Sequence, residues 1–370
     1  MCGTLVSLEG MDPEQLQVRD DETDFYGKQY WLNHQNIDLG FPDIYHRARN
    51  DLTERNLHWL KTLLKYCLPP AKALELGCSH GSFVALLRQA GYDASGVEMS
   101  PWVVEFGQRT FGVPISVGPI ESLDIAPGSL DVIALMDVLE HLPEPVATMA
   151  HCLELLKPDG LLLIQTPQFK EGTNYPALVE TKGAFLEQLK ADEHLYLFSA
   201  SSVTRLFQQL GAEYIQFEPA IFGQYDMFFV VSRAPLVTQT FAQTEAAILA
   251  TPNGRLALAL LDLRERELDL TRQLQESESD RAARGGQIET LTAMLQEAEA
   301  ARAAQWGQTV SLSAKLKELE ADRVARDAQV ASLLADLRAL FARTVFRGLT
   351  RVSGWPEVSK LLEQMAKPNA

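Results

Sequence analysis

The chain has 370 residues, 46% of them apolar, which is more than one hydrophobic core usually organises and enough to bury a sizeable core in part of the chain. Its formal charge of −16 is concentrated before residue 237, where 31 acidic residues face 16 basic ones, and such a region repels a nucleic-acid backbone. The four cysteines form no CxxC pair, which argues against a disulfide framework and a zinc site. No early basic segment leads into an apolar run and no apolar stretch approaches about 20 residues, so we expect neither an export signal nor a membrane span.

The start of the chain is polar and rich in aromatic side chains, with little periodicity, and we interpret residues 1–50 as a lid or entry segment. A helix is predicted from Asp51 to Tyr66, because Asp51-Leu-Thr-Glu54 has the form of a capping box and leucines follow on one face. Pro69-Pro70 is predicted to stop this helix.

Residues 51–235 predict one α/β domain, since short apolar runs alternate with amphipathic stretches as they do in βαβ units. The five predicted parallel strands are Ala73–Leu76, Ala94–Glu98, Ile115–Val117, Val132–Met136 and Leu161–Thr166. Helices are predicted between them at Ser82–Ala90, Trp102–Phe111 and Pro145–Leu156. Two further runs, Tyr214–Phe217 and Met227–Ser232, are spaced as an antiparallel hairpin, which completes a Rossmann-like sheet of seven strands.

A long helical segment follows the α/β domain. Residues 236–259 are interpreted as a linker or helix, and residues 260–340 predict a coiled coil that repeats every 21 residues. A fixed 4-3 spacing places these residues on one seam: Leu263, Leu270, Leu274, Ile288, Leu291, Leu295, Leu312, Leu316, Leu319, Val330, Leu333, Leu337 and Leu340. Because so narrow an apolar stripe needs a partner, the sequence predicts a homo-oligomer.

Several arginines interrupt the seam at core positions, namely Arg281, Arg284, Arg302, Arg323 and Arg326. Polar layers of this kind select register or oligomer state at a cost in stability. The alternative to a coiled coil is a helix that packs back on the globular domain.

The end of the chain, residues 341–370, is a predicted basic amphipathic tail with five basic residues against two acidic ones. Such a tail either contacts an anionic membrane surface or a membrane protein, or caps the coiled coil. We predict that the protein is located in the cytoplasm. If the tail binds a membrane, the protein is predicted to lie peripherally at the inner membrane surface.

The first predicted strand of the domain runs into the turn Glu75-Leu-Gly-Cys-Ser-His-Gly-Ser-Phe83. Gly77 and Gly81 allow the backbone to turn sharply and to approach a ligand. Their spacing differs from the GxGxxG pattern that meets a pyrophosphate, and a carboxylate precedes them. Glu75 suits a cationic ligand group, such as the ammonium of a methionine moiety.

The stretch Leu74-Glu-Leu-Gly-Cys-Ser-His-Gly81 resembles motif I of class I S-adenosylmethionine-dependent methyltransferases. The resemblance covers about residues 51–235 and implies S-adenosyl-L-methionine as the cofactor. Glu98 lies at the end of a predicted strand, 21 residues after Gly77, and matches the acidic residue that in this family binds both ribose hydroxyls of the cofactor.

Two further segments resemble motifs of the same family. Gly118-Pro-Ile-Glu121 is similar to the adenine-pocket segment, and Asp137-Val-Leu-Glu-His141 to the signature that lies between cofactor and acceptor. The implied cofactor site consists of Glu75, Gly77, Cys78, Gly81, Phe83, Glu98, Met99, Ile120, Glu121, Asp137 and Val138. No metal site is predicted, since the cofactor itself supplies the electrophile.

Methyl transfer to a hydroxyl requires a base, and histidine is the usual choice at neutral pH. His194 is the first candidate, because Glu193 or Asp192 beside it could raise its basicity, and His141 is the second. His80, inside the glycine turn, is predicted to lie on the cofactor side or the surface.

Three functions remain open at this point. Glu193-His-Leu-Tyr-Leu-Phe-Ser199 and the hairpin after it resemble bacterial glycan-modifying methyltransferases, some of which carry a C-terminal coiled coil. We therefore predict O-methylation of a sugar hydroxyl in glycan or surface-polysaccharide biosynthesis. The alternatives are methylation of a small molecule, such as a quinone, phenol or lipid precursor, and a coiled-coil scaffold whose globular domain binds the cofactor without catalysis.

Overall fold

The computed structural model describes residues 3–11, 14–38, 40–190, 192–342, 356–357 and 360. They form two units, one ending at Arg272 and one beginning at Gln273. No helix among the described residues is both long and apolar enough to cross a membrane. Nearly all of the predicted tail, residues 341–370, lies outside the described residues, so its amphipathic character and membrane contact stay predictions.

The first unit is built on a seven-stranded sheet with the strand order β4-β3-β2-β5-β6-β9-β8. The strands of the described residues are β1 (Leu5–Val6), β2 (Lys72–Leu76), β3 (Asp93–Glu98), β4 (Ile115–Val117), β5 (Leu130–Met136), β6 (Leu156–Pro167), β7 (Tyr196–Leu197), β8 (Tyr214–Glu218) and β9 (Asp226–Ser232). β2 to β6 are parallel, and β9 and β8 are antiparallel. This topology confirms the predicted Rossmann-like fold.

The helices connect the strands and cover both faces of the sheet. They are α1 (Ile44–Thr53), α2 (Arg55–Leu63), α3 (Ser82–Ala90), α4 (Pro101–Phe111), α5 (Pro145–Leu155), α6 (Tyr175–Thr181), α7 (Ala200–Gln209), α8 (Phe241–Leu249) and α9 (Gly254–Ala342). Successive residues of β5 alternate between two cores, since Val132 and Ala134 belong to one buried cluster and Ile133 and Leu135 to the other.

The predicted helix from Asp51 to Tyr66 is wrong in its start. The chain is already helical from Ile44, and α1 and α2 are separated at Glu54, where φ is −116° and ψ is −91°. Asp43 caps α1, because its carboxylate accepts a hydrogen bond from the His46 backbone N–H at 2.9 Å. Asp51 lies inside α1 and therefore cannot open a helix as the capping-box reading required.

The segment before α1 is ordered against the first unit. β1 pairs antiparallel with β7, and a short π-helical segment spans Tyr30–Asp38. Tyr30 and Trp31 form a small buried cluster with Ile44 and Val103. The side chains of this segment thus reach the neighbourhood of the motif-bearing strands.

α9 begins at Gly254, six residues before the predicted coiled coil, and continues to Ala342. Its first turns belong to the first unit, since Ala257 and Leu261 are buried in the same cluster as Ile248. In contrast, nine seam leucines between residues 270 and 337 are 45–66% exposed: Leu270, Leu274, Leu291, Leu295, Leu312, Leu316, Leu319, Leu333 and Leu337. The continuous helix is therefore confirmed, and its pairing stays a prediction.

Candidate active site

A cavity of about 530 Å³ lies at the carboxyl ends of β2, β3 and β5. This is the edge where open α/β sheets bind their ligands. Ten of the eleven predicted cofactor residues line it, together with His80, His141 and His194. The exception is Gly81, which precedes α3 as its N-cap residue.

Gly77 and Gly81 have positive φ angles of +68° and +75°, a conformation that favours glycine. A Cβ at Gly77 would overlap Val138, which lines the cavity with it, and one at Gly81 would lie 2.8 Å from Ile115 Cδ1. The glycines thus allow the turn to pack against its neighbours, and the approach of the backbone to a ligand stays a prediction.

Glu75 ends the apolar part of β2 with a carboxylate that is 4% exposed. Its Oε2 atom has no hydrogen-bond partner. Burial raises the pKa of Glu75 well above its usual range, and the nearby charge of Glu98 adds to the effect. A buried carboxylate that lines a cavity and leaves one oxygen without a hydrogen-bond partner is suited to a positively charged ligand group, as the sequence predicts.

Glu98 lies at the end of β3 and is held by three backbone N–H groups. Its carboxylate accepts hydrogen bonds from Ser79 at 3.0 Å, Met99 at 2.8 Å and Ser100 at 3.3 Å. Burial raises the pKa of Glu98, while these hydrogen bonds oppose the shift. A carboxylate has about four acceptor positions, so about one remains for a ligand hydroxyl, and binding two hydroxyls would require shared hydrogen bonds.

Cys78 and Phe83 serve the packing of the turn. The Cys78 sulfur lies where a Cβ on Gly96 would have to go, and burial raises the pKa of its thiol well above the usual range. A thiol in this state is a poor nucleophile. Phe83 is buried and meets Trp59 edge to face, with 5.4 Å between the ring centroids.

The segment predicted to hold the adenine ring forms a tight turn over Ile120–Ser122. Ile120 is 1% exposed and supplies an apolar surface to the cavity. Glu121 is tied to α5, since its carboxylate accepts a hydrogen bond from the Thr148 hydroxyl at 2.7 Å. Met99 completes this side of the lining.

Asp137 lies directly after β5 in a left-handed conformation, with φ at +58°. Two hydrogen bonds to Gln165 hold it there. The Asp137 backbone N–H donates to the Gln165 carbonyl at 3.0 Å, and its Oδ1 accepts from the Gln165 amide at 3.1 Å. This fixed bend directs the following residues, among them Val138 and His141, along the cavity wall.

His141 and His194 meet at the other end of the cavity, with 4.9 Å between their ring centroids. The Nδ1 atom of His141 lies 2.8 Å from the Glu193 carbonyl, and that of His194 lies 2.7 Å from the Gln188 carbonyl. Because a carbonyl can only accept, each Nδ1 carries the proton and each Nε2 is left as an acceptor.

The two histidines differ in basicity. Burial lowers the pKa of His194 to about 3, and the neighbouring His141 contributes to the shift. Burial also lowers the pKa of His141, but the carbonyl and the negative charge of Glu193 oppose that effect. The Glu193 carboxylate itself bonds to His34 at 3.0 Å. Glu193, which was predicted to raise the basicity of His194, thus raises the pKa of His141 instead.

Glu140 adds a carboxylate beside the two histidines. Its Oε2 accepts a hydrogen bond from Thr166 at 2.9 Å, and its Oε1 has no hydrogen-bond partner but lies 3.9 Å from His141 Nε2. Burial raises the pKa of Glu140 to about 8. Glu140, His141 and His194 each offer one metal-binding atom, all within 4.8 Å of one another. Two imidazoles and a carboxylate are common metal ligands, so this group could hold an ion, and the sequence reading that no metal binds stays a prediction.

Sequence reasoning missed a charged group on α1 and α2. The Asp51 carboxylate lies 3.3 Å from Arg47 Nε and 3.5 Å from Arg55 Nε. Arg55 also lies 4.0 Å from Asp137, and all of these side chains line the cavity. The i,i+4 spacing of the arginines around Asp51 was the available signal, but it is equally typical of an exposed helix face.

A second missed residue is Asp226, the first residue of β9. It is 5% exposed and lines the cavity. Burial, with the charges of Asp137 and Glu140, raises its pKa to about 9. In the sequence, Asp226 is a single acidic residue before an apolar strand, and that pattern does not predict a place in the cavity wall.

Residues 45–216 match a family described as a methyltransferase domain. A ubiquinone biosynthesis O-methyltransferase of Xanthomonas campestris pv. campestris (strain B100) is 31% identical over 108 residues, which are 28% of this chain and 45% of the relative. One of Thiobacillus denitrificans is 24% identical over 180 residues, 46% of this chain and 76% of the relative. The chain thus spans about half the length of several of the curated relatives it matches.

A solved structure of Haemonchus contortus phosphoethanolamine N-methyltransferase 2, in complex with phosphomonomethylethanolamine and S-adenosylhomocysteine, is 16% identical. It covers 49% of this chain and 52% of that chain with a TM-score of 0.40. The family match coincides with the seven-stranded sheet and with the three motif segments that line the cavity. Residues 45–216 therefore form a methyltransferase domain of the class I, S-adenosylmethionine-dependent type.

Proposed function

We propose that this chain O-methylates a small molecule, with a phenolic or related hydroxyl as the acceptor and S-adenosylmethionine as the methyl donor. The observation that carries the proposal is the buried carboxylate of Glu75, whose Oε2 atom has no hydrogen-bond partner, in one cavity with the His141 and His194 pair. One end of the cavity thus suits a cationic cofactor, and the other offers acceptors for a proton.

The charges around the cavity support this orientation of the cofactor. Glu75 would hold the ammonium of the methionine moiety, and Glu98 a ribose hydroxyl. Arg47 and Arg55 are cations on the same lining and would face the carboxylate of that moiety. When bound, the cofactor supplies the electrophilic methyl group, so the protein has to align the acceptor and exclude water.

The acceptor end of the cavity is lined by aromatic side chains as well as the histidines. Tyr26 meets Tyr30 edge to face with 4.9 Å between the ring centroids, and the Tyr26 hydroxyl lies 3.2 Å from His141 Nδ1. Aromatic side chains beside the histidines suit a planar ring. Relatives named ubiquinone biosynthesis O-methyltransferase favour a small-molecule acceptor over the sugar hydroxyl that the sequence reading put first.

The proton of the acceptor hydroxyl would pass to Nε2 of His141 as the methyl group is transferred. His141 is better suited than His194, because Glu193 stabilises its charged form. The Glu193 carbonyl that accepts from Nδ1 would orient the ring throughout the step.

The test has a binding part and a transfer part. Calorimetric titration with S-adenosylmethionine should show one site, and Glu75→Gln should weaken binding at least tenfold, since it removes the charge and keeps the shape. Glu105→Gln, on the exposed face of α4, is the matched control. Absence of binding by the wild-type protein would reject the proposed cofactor site, whereas binding without transfer to any acceptor would favour the scaffold alternative.

Transfer of labelled methyl groups should then be measured over phenols, catechols and simple sugars. Product with the phenolic acceptors supports the proposal. Methyl transfer to sugars alone would contradict the proposal and favour the predicted O-methylation of a sugar hydroxyl.

A further inference from the structure

Glu193 connects the segment before α1 to the ring of His141. Its backbone carbonyl accepts a hydrogen bond from His141 Nδ1 at 2.8 Å. Its carboxylate accepts one from His34 Nε2 at 3.0 Å and a longer one from the Tyr30 hydroxyl at 3.5 Å. The carbonyl and the side chain of one residue are thus bound to two different parts of the fold.

The position of the Glu193 carboxylate depends on these two donors. Glu193 is 4% exposed, and a buried carboxylate needs hydrogen-bond donors to offset the loss of water. Both donors lie in the π-helical segment Tyr30–Asp38. The His34 ring is itself held against the rings of Tyr30 and Phe25, with 5.3 and 5.4 Å between the centroids. The N-terminal segment therefore fixes the side chain of Glu193.

His34 lies behind the wall of the cavity. Tyr30, Glu193 and His141 line the cavity, whereas His34 does not. Its side chain is 26% exposed, and its hydrogen bond to Glu193 points toward the reacting end. An effect of His34 on methyl transfer would therefore pass through the residues in front of it, Glu193 first of all.

The hydrogen bond from His141 to the Glu193 carbonyl decides which tautomer the ring adopts. With the proton on Nδ1, the Nε2 atom can accept a proton from the methyl acceptor. The opposite tautomer places a proton on Nε2, which lies 3.9 Å from Glu140 Oε1, an atom without a hydrogen-bond partner among the described residues. A carboxylate attracts a proton on the nitrogen that faces it. A displaced Glu193 carbonyl would thus favour the tautomer that cannot act as a base.

We propose that His34 is a positioning residue for methyl transfer, because it fixes Glu193 and, through the Glu193 carbonyl, keeps His141 in the tautomer that accepts the proton. This inference rests on the proposed function, in which Nε2 of His141 is the base. The Tyr26 hydroxyl, 3.2 Å from His141 Nδ1, is a further contact from the same N-terminal segment. This segment accordingly belongs to the catalytic arrangement as well as to the cavity wall.

The first measurement is the kinetics of full-length variants, with the phenol or catechol that gives the highest transfer as the acceptor. His34→Ala should lower kcat about tenfold or more, because a small displacement of the base is costly, and should keep KM and the affinity for S-adenosylmethionine. His34→Gln should stay within about threefold of the wild-type kcat, since its amide can donate to Glu193. His46→Ala removes an exposed histidine of α1 that does not line the cavity, and it should match the wild type.

The second measurement reads the His141 ring by nitrogen NMR of protein labelled in its histidine rings, without an acceptor. The signals of His141 are those that disappear in His141→Gln. The wild-type protein and His34→Gln should show a proton on Nδ1, and His34→Ala should show a mixture of both tautomers. A purely structural role of His34 would lower the stability without a change of tautomer.

A wild-type kcat in His34→Ala would overturn the inference, and so would a lower kcat with the proton of His141 still on Nδ1. If His34→Ala does not fold, His34→Phe takes its place, since it keeps the ring packing and lacks the donor; it should lower kcat in the same way. Absence of transfer by the wild-type protein rejects the proposed function itself. The tautomer of His141 in these variants then decides by itself whether His34 positions the ring.

Discussion

His141 is the residue on which the proposed proton transfer depends, and its protonation can be tested by pH. Burial holds the pKa of its imidazole below the ordinary value of about 6.5, so the ring is neutral and able to accept a proton at pH 7. The rate should therefore fall only as the pH drops through this lowered pKa. His141→Gln should lower kcat about 100-fold and remove the acid limb of the profile, as measured by label transfer between pH 4.5 and 8.

The matching variant His194→Gln should have a smaller effect on the rate, because a ring with a pKa of about 3 is a weak base. Both variants should retain the affinity for S-adenosylmethionine, since neither side chain belongs to the proposed cofactor end. An acid limb that survives in His141→Gln would remove this residue as the base.

At the residue scale, the sequence predicts the cavity-lining residues at the strand ends better than those that come from other elements. Glu75 lies one residue before the end of β2 and Glu98 ends β3, and both could be predicted to lie at the cavity because the ends of parallel strands meet at one edge of the sheet. Arg55 and Asp226 could not, because they reach the cavity from a helix and from an antiparallel strand that only the tertiary fold brings there. The neighbours that set the basicity of His141 are equally a product of tertiary packing.

At the scale of elements, the segment before α1 forms part of the cavity wall. Tyr26 and Trp31 line the cavity, and the Trp31 indole N–H donates to the Tyr26 carbonyl at 3.2 Å. The segment is tied to the motif-bearing strands by Asp21, which accepts a hydrogen bond from the Ser100 hydroxyl at 3.1 Å. The predicted lid or entry segment thus lies beside the site, and whether it opens stays a prediction.

Trp31→Ala should loosen this segment, because truncating a buried tryptophan costs about 3–5 kcal/mol of stability. We expect faster hydrogen exchange over residues 14–38 and a higher KM for cofactor and acceptor, with exchange in β5 and β6 unchanged. Trp31→Phe keeps most of the apolar contact and should be close to wild type in both measurements. Faster exchange throughout the sheet in Trp31→Ala would show that the segment is part of the global core and does not act as a separate wall.

The strands were predicted well and the N-terminal helices poorly, for one physical reason. Apolar runs between turns are local features, so the predicted bounds of β2, β3, β4 and β9 agree with the structure to within about one residue. α1 has three buried residues among ten and a charged face turned toward the cavity, so its pattern does not stand out. Asp51 was predicted to cap a helix. Its carboxylate instead pairs with Arg47 and Arg55, and only the fold identifies these two partners.

At the scale of the whole molecule, the 21-residue repeat makes the seam of α9 complementary to itself. Leucine layers recur at 270, 291, 312 and 333, and arginine layers at 281, 302 and 323. A parallel copy in register aligns every layer with its equivalent. A reversed copy aligns many of the layers but not all of them, because it places Leu270 opposite Leu337 and Arg281 opposite Arg326, whereas Arg302 faces Gln305. The sequence therefore predicts the 21-residue repeat of the seam, whereas the chain that covers the seam does not follow from that repeat.

We propose that a second copy of this chain covers the seam. Light scattering on the full chain should give an oligomer, and Leu291→Asp with Leu312→Asp should dissociate it, because both leucines are more than 60% exposed in the single chain and lie at seam positions. Ala293→Asp with Ala314→Asp places the same charges on the opposite face of the helix and should leave the oligomer intact. A monomeric wild-type chain would exclude the coiled coil.

The direction of the second copy can be determined by disulfide trapping. In a parallel pair in register, Ala298 faces Ala298 of the partner, so Ala298→Cys alone should cross-link. In a reversed pair with matched layers Ala298 faces Thr309, so only a mixture of Ala298→Cys and Thr309→Cys chains should do so. A copy displaced by one repeat would be shifted by about 31 Å, and it would bury three fewer heptads than the pair in register. The pair in register should therefore predominate, and no cross-link in either arrangement would show that the layers do not set the alignment.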